Sequence, residues 1–358
     1  MINLWWEQIS GARMVIDKIC NEVEKGQNVI LNFSANTPWI DDFRDILSER
    51  IELILTDKAV RRIFPEEYDA GTYMLENYCR KDVRYSYRPP KSVGRFLGEC
   101  QDLTLSDNVL LVQVKTKKQI EDWMGLITDY DSALNDMDKR ATFILEIGSN
   151  IDNLTGNKNF KLYNIGVDIP EYVRYTYASI LVSELGIKES MVTYLSQLLT
   201  SCCNDIELIP LCTQQYQEFL ANPYDTIVHI AQEKVRSDGT KFSFGESCDV
   251  VASKVWEAQL KILFPSVERY RVYIIQKLMK QINDKLQFPY KTNFGDLESP
   301  EELELKDLTY AIGIKRLTME DSKERKRLSR FHQYRNSLAH GVPLDLNDVK
   351  FLLENYNG

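Results

Sequence analysis

The strongest constraint on the fold is an alternation of apolar and amphipathic segments that fills the first half of the chain and then stops. Short apolar runs typical of buried strands lie at Asn28–Phe33, Glu52–Thr56, Val109–Val114, Thr142–Ile147 and Lys161–Val167. Helical patterns intervene, notably over Lys117–Leu134. Strands that are apolar throughout and separated by helices favour a mainly parallel sheet covered on both faces. The sequence therefore predicts an α/β domain over residues 1–170, in which the interval from Phe64 to Gly98 is a long connection.

The second half of the sequence predicts helices only. Residues 171–245 form a helical middle region that ends in a polar, linker-like stretch at Arg236–Glu246. Residues 246–358 predict an all-α bundle. Its expected helices cover Ala252–Phe264, Ser266–Leu286, about Met319–Ala339 and Leu346–Asn355. We expect Pro265 to separate the first two, because proline removes a hydrogen bond from a helix interior.

Composition excludes several classes of protein. The chain has 358 residues, of which 44% are apolar and 27% charged, and this excludes wholesale disorder. None of the seven cysteines forms a C-x-x-C pair, and three histidines are too few for a multi-histidine metal centre. No apolar run approaches the roughly 20 residues that cross a bilayer. We expect a cytoplasmic protein that has no membrane segment and needs no metal or other cofactor.

Charge is distributed unevenly along the chain. Residues 250–358 carry 18 Lys and Arg against 15 Asp and Glu, a net charge of +3, whereas the whole chain has a net charge of −9. The remaining residues, 1–249, therefore carry −12. A basic cluster lies within thirteen residues near the C-terminus and comprises Lys323, Arg325, Lys326, Arg327, Arg330 and Arg335. If the chain contacts a polyanion, this cluster is where we expect the contact.

One motif in this region combines residues that carry chemistry. The segment from Arg335 to His340 reads R-N-x-x-x-H and is followed by Gly341, a natural helix C-cap. The carbonyls at such a helix end favour the imidazolium form of His340. Arg335 offers a rigid fork of donors for phosphate oxygens, and Asn336 can orient a neighbour or hydrogen-bond a phosphate. These side chains are sufficient in kind to cleave RNA without a metal, because the substrate's own 2′-hydroxyl is the nucleophile.

An R-N-x-x-x-H motif late in a small helical bundle resembles the HEPN superfamily, many of whose members are ribonucleases in prokaryotic defence and toxin systems. The resemblance covers roughly residues 250–358. It implies that Arg335, Asn336 and His340 form a composite catalytic site at the interface of a homodimer, whose second copy supplies a second proton-handling group. Many HEPN domains are not catalytic.

Two functions therefore remain open. In the first, the chain is a metal-independent endoribonuclease of a defence or toxin-like system. RNA would also be bound by Lys323, Arg325, Lys326, Arg327, Arg330 and His332, with further defence-system proteins as partners. In the second, the same bundle is a non-catalytic scaffold that dimerises or docks. For the basic run, a solvated helix face is the alternative interpretation, and for His332 it is an exposed helix residue.

The α/β half lacks the residues of a functional nucleotide site. A phosphate-binding loop needs glycines, a lysine and a Ser or Thr, but the segment after the first strand, Ser34–Trp39, has neither glycine nor lysine. The layout resembles a degenerate P-loop NTPase by topology only. Glu146 is then interpreted as an ordinary strand-end carboxylate, and Trp5, Trp6 and Trp39 as packing residues. We expect no nucleotide hydrolysis and a sensing or regulatory role for this half.

Overall fold

A computed structural model describes residues 4–65, 69–100, 103–135, 138–148, 156, 158–167, 169–292 and 295–355. The chain divides into two compact units. Unit 1 comprises Met1–Val173 with Ser237–Gly239, and unit 2 comprises Arg174–Arg236 with Thr240–Gly358. The domain boundaries expected after residues 170 and 245 stay predictions. Even the 38-residue helix Cys248–Lys285 has no segment apolar enough to cross a bilayer, and the same holds for every other helix in the described ranges.

Unit 1 is an α/β domain, as the strand–helix alternation predicts. Its strands are β1 Asn28–Phe33, β2 Ala59–Ile63, β3 Asn108–Val114, β4 Thr142–Ile147 and β5 Phe160–Ile165. Its helices are a π-helical turn at Leu4–Gln8, α1 Ser10–Glu24, α2 Ile40–Ile54, α3 Ala70–Asn77, α4 Lys81–Arg84, α5 Val93–Cys100, α6 Leu103–Ser106 and α7 Lys117–Ala133. All strand pairs are parallel, in the order β2-β3-β4-β1-β5. The sheet is compatible with the degenerate NTPase-like layout.

The central strands bury side chains on both faces. Every residue of β4 is buried, and Val29, Ile30 and Leu31 of β1 are fully buried. Helices therefore cover the sheet on both sides, as a parallel sheet requires. Trp5, Trp6 and Trp39 are buried too, which confirms that they pack.

Two predictions for unit 1 are wrong. Glu52–Thr56 is not a strand, because α2 continues through it to Ile54 and buries Ile51 one turn after Leu47. Leu53 is 78% exposed, so the apolar appearance of this run reflects a helix end and not a buried strand. The interval from Phe64 to Gly98, expected as one long connection, instead contains α3, α4 and much of α5.

Among its described residues, unit 2 is helical apart from one short antiparallel strand pair and one isolated β-bridge. Its elements are α8 Glu171–Ser183, whose first three residues belong to unit 1, α9 Glu189–Cys202, α10 Leu208–Gln214, α11 Tyr216–Ala221, α12 Pro223–Glu233, α13 Cys248–Lys285, β6 Tyr290–Thr292, β7 Gly295–Leu297, a 3₁₀ turn at Pro300–Glu302, α14 Leu305–Gly313, α15 Ser322–Ala339 and α16 Leu346–Asn355. The final helix has the predicted bounds, and α15 begins three residues later than predicted. Together with unit 1, this confirms the predicted fold class.

Helix α13 contradicts the expected break at Pro265. It runs without interruption because residues on both sides of the proline are held by packing. Val267 and Tyr270 are buried after Pro265, and Tyr270 stacks on Phe331 of α15 with ring centroids 4.0 Å apart. Before it, Gln259 exchanges two hydrogen bonds with the backbone of Leu344. Such contacts outweigh the roughly 3 kcal/mol that a proline costs inside a helix.

The stretch Arg236–Glu246, expected as a linker, is held by packing and ion pairs. Arg236 is buried and forms ion pairs with Asp205 and Glu207 of unit 2. Phe242 is buried as well, and Val235 pairs with Lys241 in an isolated β-bridge. Apart from Ser237–Gly239, these residues therefore belong to the packed body of unit 2.

Candidate functional site

The candidate site is built on the C-terminal end of α15. His340 is the C-cap residue, and Gly341 follows it with a φ of +76°, a left-handed conformation that glycine adopts at little cost. The amide of Val342 donates to the carbonyl of Ser337 at 2.9 Å, which closes a Schellman-type end. In addition, Trp256 of α13 donates to the carbonyl of Leu338 at 2.6 Å. These two hydrogen bonds hold the helix end, while His340 itself is exposed.

Three polar residues share one face of this helix end. His332, Asn336 and His340 are four residues apart, so they lie within about 80° of one another around the helix axis. The side-chain nitrogen of Asn336 lies 3.1 Å from Nε2 of His332. An amide nitrogen only donates, so Nε2 of His332 accepts and its ring proton is on Nδ1. Burial, followed by the nearby positive charge of Arg335, lowers the pKa of His332 from its ordinary 6.5. His332 is therefore neutral at pH 7 and able to orient Asn336.

Arg335 lies beside this face and already has a carboxylate partner. Its Nη2 is 3.4 Å from Oε2 of Glu304, and the two side chains are 31% and 36% exposed. Nε of Arg335 is buried without a hydrogen-bond partner among the described residues. Oε2 of Glu304 is buried without a hydrogen-bond partner as well, so a phosphate reaches the guanidinium only by displacing Glu304. Because an ion pair this exposed contributes little free energy, a phosphate oxygen can compete with Glu304.

Helix α14 runs antiparallel to α15 and forms the other wall of the site. Near the start of α14, Glu304 pairs with Arg335, and Lys306 and Asp307 lie close enough to His332 to influence its charge. Farther along, the same two helices enclose a groove at the N-terminal half of α15. We call this pair of facing helix edges the α14/α15 seam. Of the candidate catalytic residues, Arg335 and Asn336 lie along this seam. His340 lies at its exposed end, which we call the open end.

The predicted RNA-binding residues fall into two groups. Lys323, Arg325 and Lys326 are exposed and form no ion pair with any described residue, although Arg325 donates to the carbonyl of Met319 at 2.6 Å. In contrast, Arg330 pairs with Asp348 at 2.5 Å and lies 4.3 Å from the ring of Phe351. Arg327 is half-buried.

In unit 1, the acidic residue at the carboxyl end of the central strand β4 is already paired with an arginine. At the carboxyl end of β4, Glu146 is buried and accepts from Nε of Arg44 at 2.8 Å, while Arg44 also pairs with Asp41 at 2.7 Å. Burial raises the pKa of Glu146, and the Arg44 charge opposes that shift. Glu146 is thus a strand-end carboxylate with a structural partner. A cavity of about 270 Å³ lies next to this pair.

The segment after β1 is packed against its neighbours. Trp6 donates from Nε1 to the carbonyl of Pro38 at 3.0 Å, and Thr37 donates to the carbonyl of Ile165 at 2.9 Å. Gly166 follows β5 with a φ of +79°, and a Cβ there would lie 2.5 Å from Oγ1 of Thr37. The segment therefore has side chains and backbone contacts where a phosphate-binding loop would need open backbone amides.

Glu304 is the site residue that sequence reasoning missed. It forms a capping box with Asp307 at the start of α14, because the amide of Glu304 donates to the Asp307 carboxylate at 3.0 Å and the Glu304 side chain accepts from the backbone amide of the third helical residue. An acidic residue three positions before Asp307 was the available sign of a helix start. Nothing in the sequence pairs it with Arg335, because that contact depends on how α14 and α15 pack.

Comparison with known proteins adds little to this geometry. No protein-family model matches the chain, and no curated protein matches it. Among solved structures, the chain is similar to PCH-2 of C. elegans, with 12% identity and a TM-score of 0.34, over 63% of this chain and 70% of that one. At that TM-score the similarity carries no argument about fold or function.

Proposed function

We propose that the chain is a HEPN-type, metal-independent endoribonuclease whose site is the open end of the α14/α15 seam. One observation carries this proposal: an exposed imidazole, an amide and a guanidinium lie within two turns at a fixed helix end. His340 moves protons, Arg335 stabilises charge on the phosphate, and Asn336, oriented by His332, donates to a phosphate oxygen.

The reaction that these groups support is transesterification within RNA. A base removes the proton of the 2′-hydroxyl, the 2′-oxygen bonds to phosphorus, and the bond from phosphorus to the 5′-oxygen breaks. An acid protonates that leaving oxygen. The products are a 2′,3′-cyclic phosphate and a 5′-hydroxyl end. Base and acid are two roles, so we also propose a homodimer that brings two His340 side chains to one site.

The biological setting extends this proposal. A ribonuclease that cleaves cellular RNA needs restraint, and the acidic α/β half is the part of the chain suited to sensing or regulation. We therefore propose a defence or toxin-like system in which unit 1 receives a trigger, and in which other proteins of the system bind it. Neither a nucleotide nor a metal is required for the chemistry assigned to unit 2.

A non-catalytic scaffold is the second candidate, and one contact favours it. Arg335 is paired with Glu304 within the chain and not left free for phosphate. In a scaffold, this ion pair would join α14 to α15, and the bundle would serve only to dimerise or to dock a partner.

The deciding experiment compares wild type, His340→Ala and His229→Ala with mixed RNA in EDTA. His229 is the matched control because it is an exposed histidine on α12, paired with Glu233 and outside the seam. We expect wild type and His229→Ala to produce 2′,3′-cyclic phosphate ends. His340→Ala should lose about 10²–10⁴-fold of that activity, the usual contribution of general acid–base catalysis.

Two results would count against the enzyme. Equal cleavage by His340→Ala and wild type would remove His340 from the chemistry. No cleavage by any of the three, together with a stable dimer in light scattering, would favour the scaffold. A chain that remains monomeric with RNA bound would remove the composite dimer site alone.

A further inference from the structure

The groove in the α14/α15 seam has the features of a binding site. It has a volume of about 650 Å³ and is bounded by α14, by α15 and by the segment between them. Ile312, Leu317 and Leu328 give it an apolar floor. Its size lies in the range of pockets that hold a small ligand.

The charged residues of the groove are all cations. Lys315, Arg325 and Lys326 line it, and no carboxylate does among the described residues. None of the three forms an ion pair with a described residue. Asp321 does not line the groove, and it caps α15 by accepting from the amide of Lys323 at 2.8 Å. The groove therefore favours an anion.

The backbone of Lys315 supplies a second observation. Its φ is +61°, a left-handed conformation that costs a non-glycine residue roughly 1–2 kcal/mol. Glycine or asparagine would occupy this position more easily. The conformation belongs to the end of α14, where the amide of Arg316 donates to the carbonyl of Ala311 at 2.9 Å, and it leaves the Lys315 side chain lining the groove.

The groove ends about one helical turn before His332, the first residue of the proposed catalytic face of α15. Ser329 lines the groove and lies three residues, or about 4.5 Å of helix rise, before His332. Arg325, Ser329, His332 and Asn336 share one face of α15 by helix periodicity. A phosphodiester chain that begins beside His340 can thus follow this face over about 20 Å into the groove.

We propose that this groove binds unpaired ribonucleotides next to the cleaved bond. This inference rests on the proposed function for the identity of its ligand as RNA, but not on catalysis. Lys315, Arg325 and Lys326 contact successive phosphates, and the apolar floor receives a base. Duplex RNA cannot bind in this way, because its bases are paired and their apolar faces are stacked on one another inside the double helix. The substrate class is therefore RNA with a single-stranded segment that extends to one side of the cleavage site.

The test measures binding of a fluorescein-labelled, single-stranded 12-nucleotide RNA and of the matching duplex. Full-length His340→Ala is the background, so that cleavage does not interfere. The groove variants are Lys315→Asn, which tolerates a positive φ, and Lys326→Gln. Lys350→Gln is the matched control because Lys350 is exposed on α16 and does not line the groove.

We expect the single strand to bind more tightly than the duplex. Each groove variant should reduce the slope of log affinity against log salt by about 0.7, the value for one phosphate contact on a single strand. Lys350→Gln should leave the slope unchanged, and thermal unfolding should show that Lys315→Asn is at least as stable as the background.

The outcomes separate this inference from the proposed function. Equal slopes in groove and control variants would overturn the groove even if wild type cleaves RNA. No binding of the single strand, or tighter binding of the duplex, would overturn it as well. Reduced slopes in a chain that never cleaves RNA would support the groove and count against the nuclease alone.

Discussion

Two arginine–glutamate pairs in this chain have the same chemistry and opposite environments. In unit 1, Arg44 and Glu146 are 2.8 Å apart, and their side chains are 16% and 5% exposed. In unit 2, Arg335 and Glu304 are 3.4 Å apart and about one third exposed. Opening a buried pair leaves a charge in a poorly solvated environment, whereas opening a pair whose side chains are one third exposed costs less, so an anion from solvent can replace one partner more easily. The comparison indicates a structural role for the first pair, and for the second it is the basis of the proposal that Arg335 binds a phosphate.

The largest expected effect is a loss of stability when the buried pair is broken. Arg44→Ala leaves Glu146 buried without its cation, so unit 1 should lose about 3–5 kcal/mol of its free energy of unfolding. Urea denaturation followed by tryptophan fluorescence measures this, because Trp5, Trp6, Trp39 and Trp123 all belong to unit 1.

Arg62→Ala is the matched control for that experiment. Arg62 pairs with Asp45 at 2.7 Å, but the two side chains are 34% and 61% exposed. We expect a loss of no more than about 1 kcal/mol. Equal losses in the two variants would show that burial does not distinguish these ion pairs, and the contrast drawn above would fail.

The next effect tests whether the half-exposed pair is available. Arg335→Gln should lower RNA cleavage about 10²–10³-fold, as the loss of one transition-state donor does, with little change in stability. Glu304→Gln should do the opposite on a smaller scale. It removes the competing charge, keeps an oxygen that can cap α14, and should raise RNA affinity by about two- to fivefold, the equivalent of one exposed ion pair.

Both changes are measured as cleavage rates and dissociation constants, with thermal unfolding alongside. A large loss of stability in Arg335→Gln would place this pair with the buried one and favour the scaffold. Unchanged affinity in Glu304→Gln would mean that no phosphate competes for Arg335.

The difference between the two pairs also shows which parts of the fold the sequence could predict. Local patterns were sufficient for β1, β3 and β4, whose apolar runs match their burial, and for the end of α15 at Gly341. They were insufficient for β2, whose Ala59–Ile63 segment contains two exposed arginines, and for α13, where packing overrides Pro265.

For the site, too, the sequence predicts the local arrangement but not the tertiary partners. His332, Asn336 and His340 share a face by helix periodicity alone, so the sequence contains that arrangement. The partners of Arg335 and Glu146 lie on other elements, and only tertiary packing brings Glu304 and Arg44 to them. Sequence patterns therefore identify which groups carry chemistry, whereas the structure shows which of them are already neutralised.

The smallest effect tests the electrostatics of the seam directly. Burial and the charge of Arg335 both lower the pKa of His332, so its imidazole resonance should titrate with a midpoint below 6.5. In Arg335→Gln one of these two causes is removed, and the midpoint should rise toward 6.5. Proton NMR of the imidazoles from pH 5 to 8 measures this, and His229, exposed on α12, is the internal reference.

The sign of the linked stability follows from the same shift. A histidine whose folded pKa lies below its unfolded value binds fewer protons in the folded state, so it lowers stability as pH falls through about 6.5. That loss should be smaller in Arg335→Gln than in wild type. If the His332 midpoint does not move in the variant, the charge of Arg335 does not act on this imidazole. The arrangement of Arg335, Asn336 and His332 described above would then be wrong. If it rises but stays below 6.5, burial and charge both act, and the open end of the seam is a cationic site with a neutral histidine beside it.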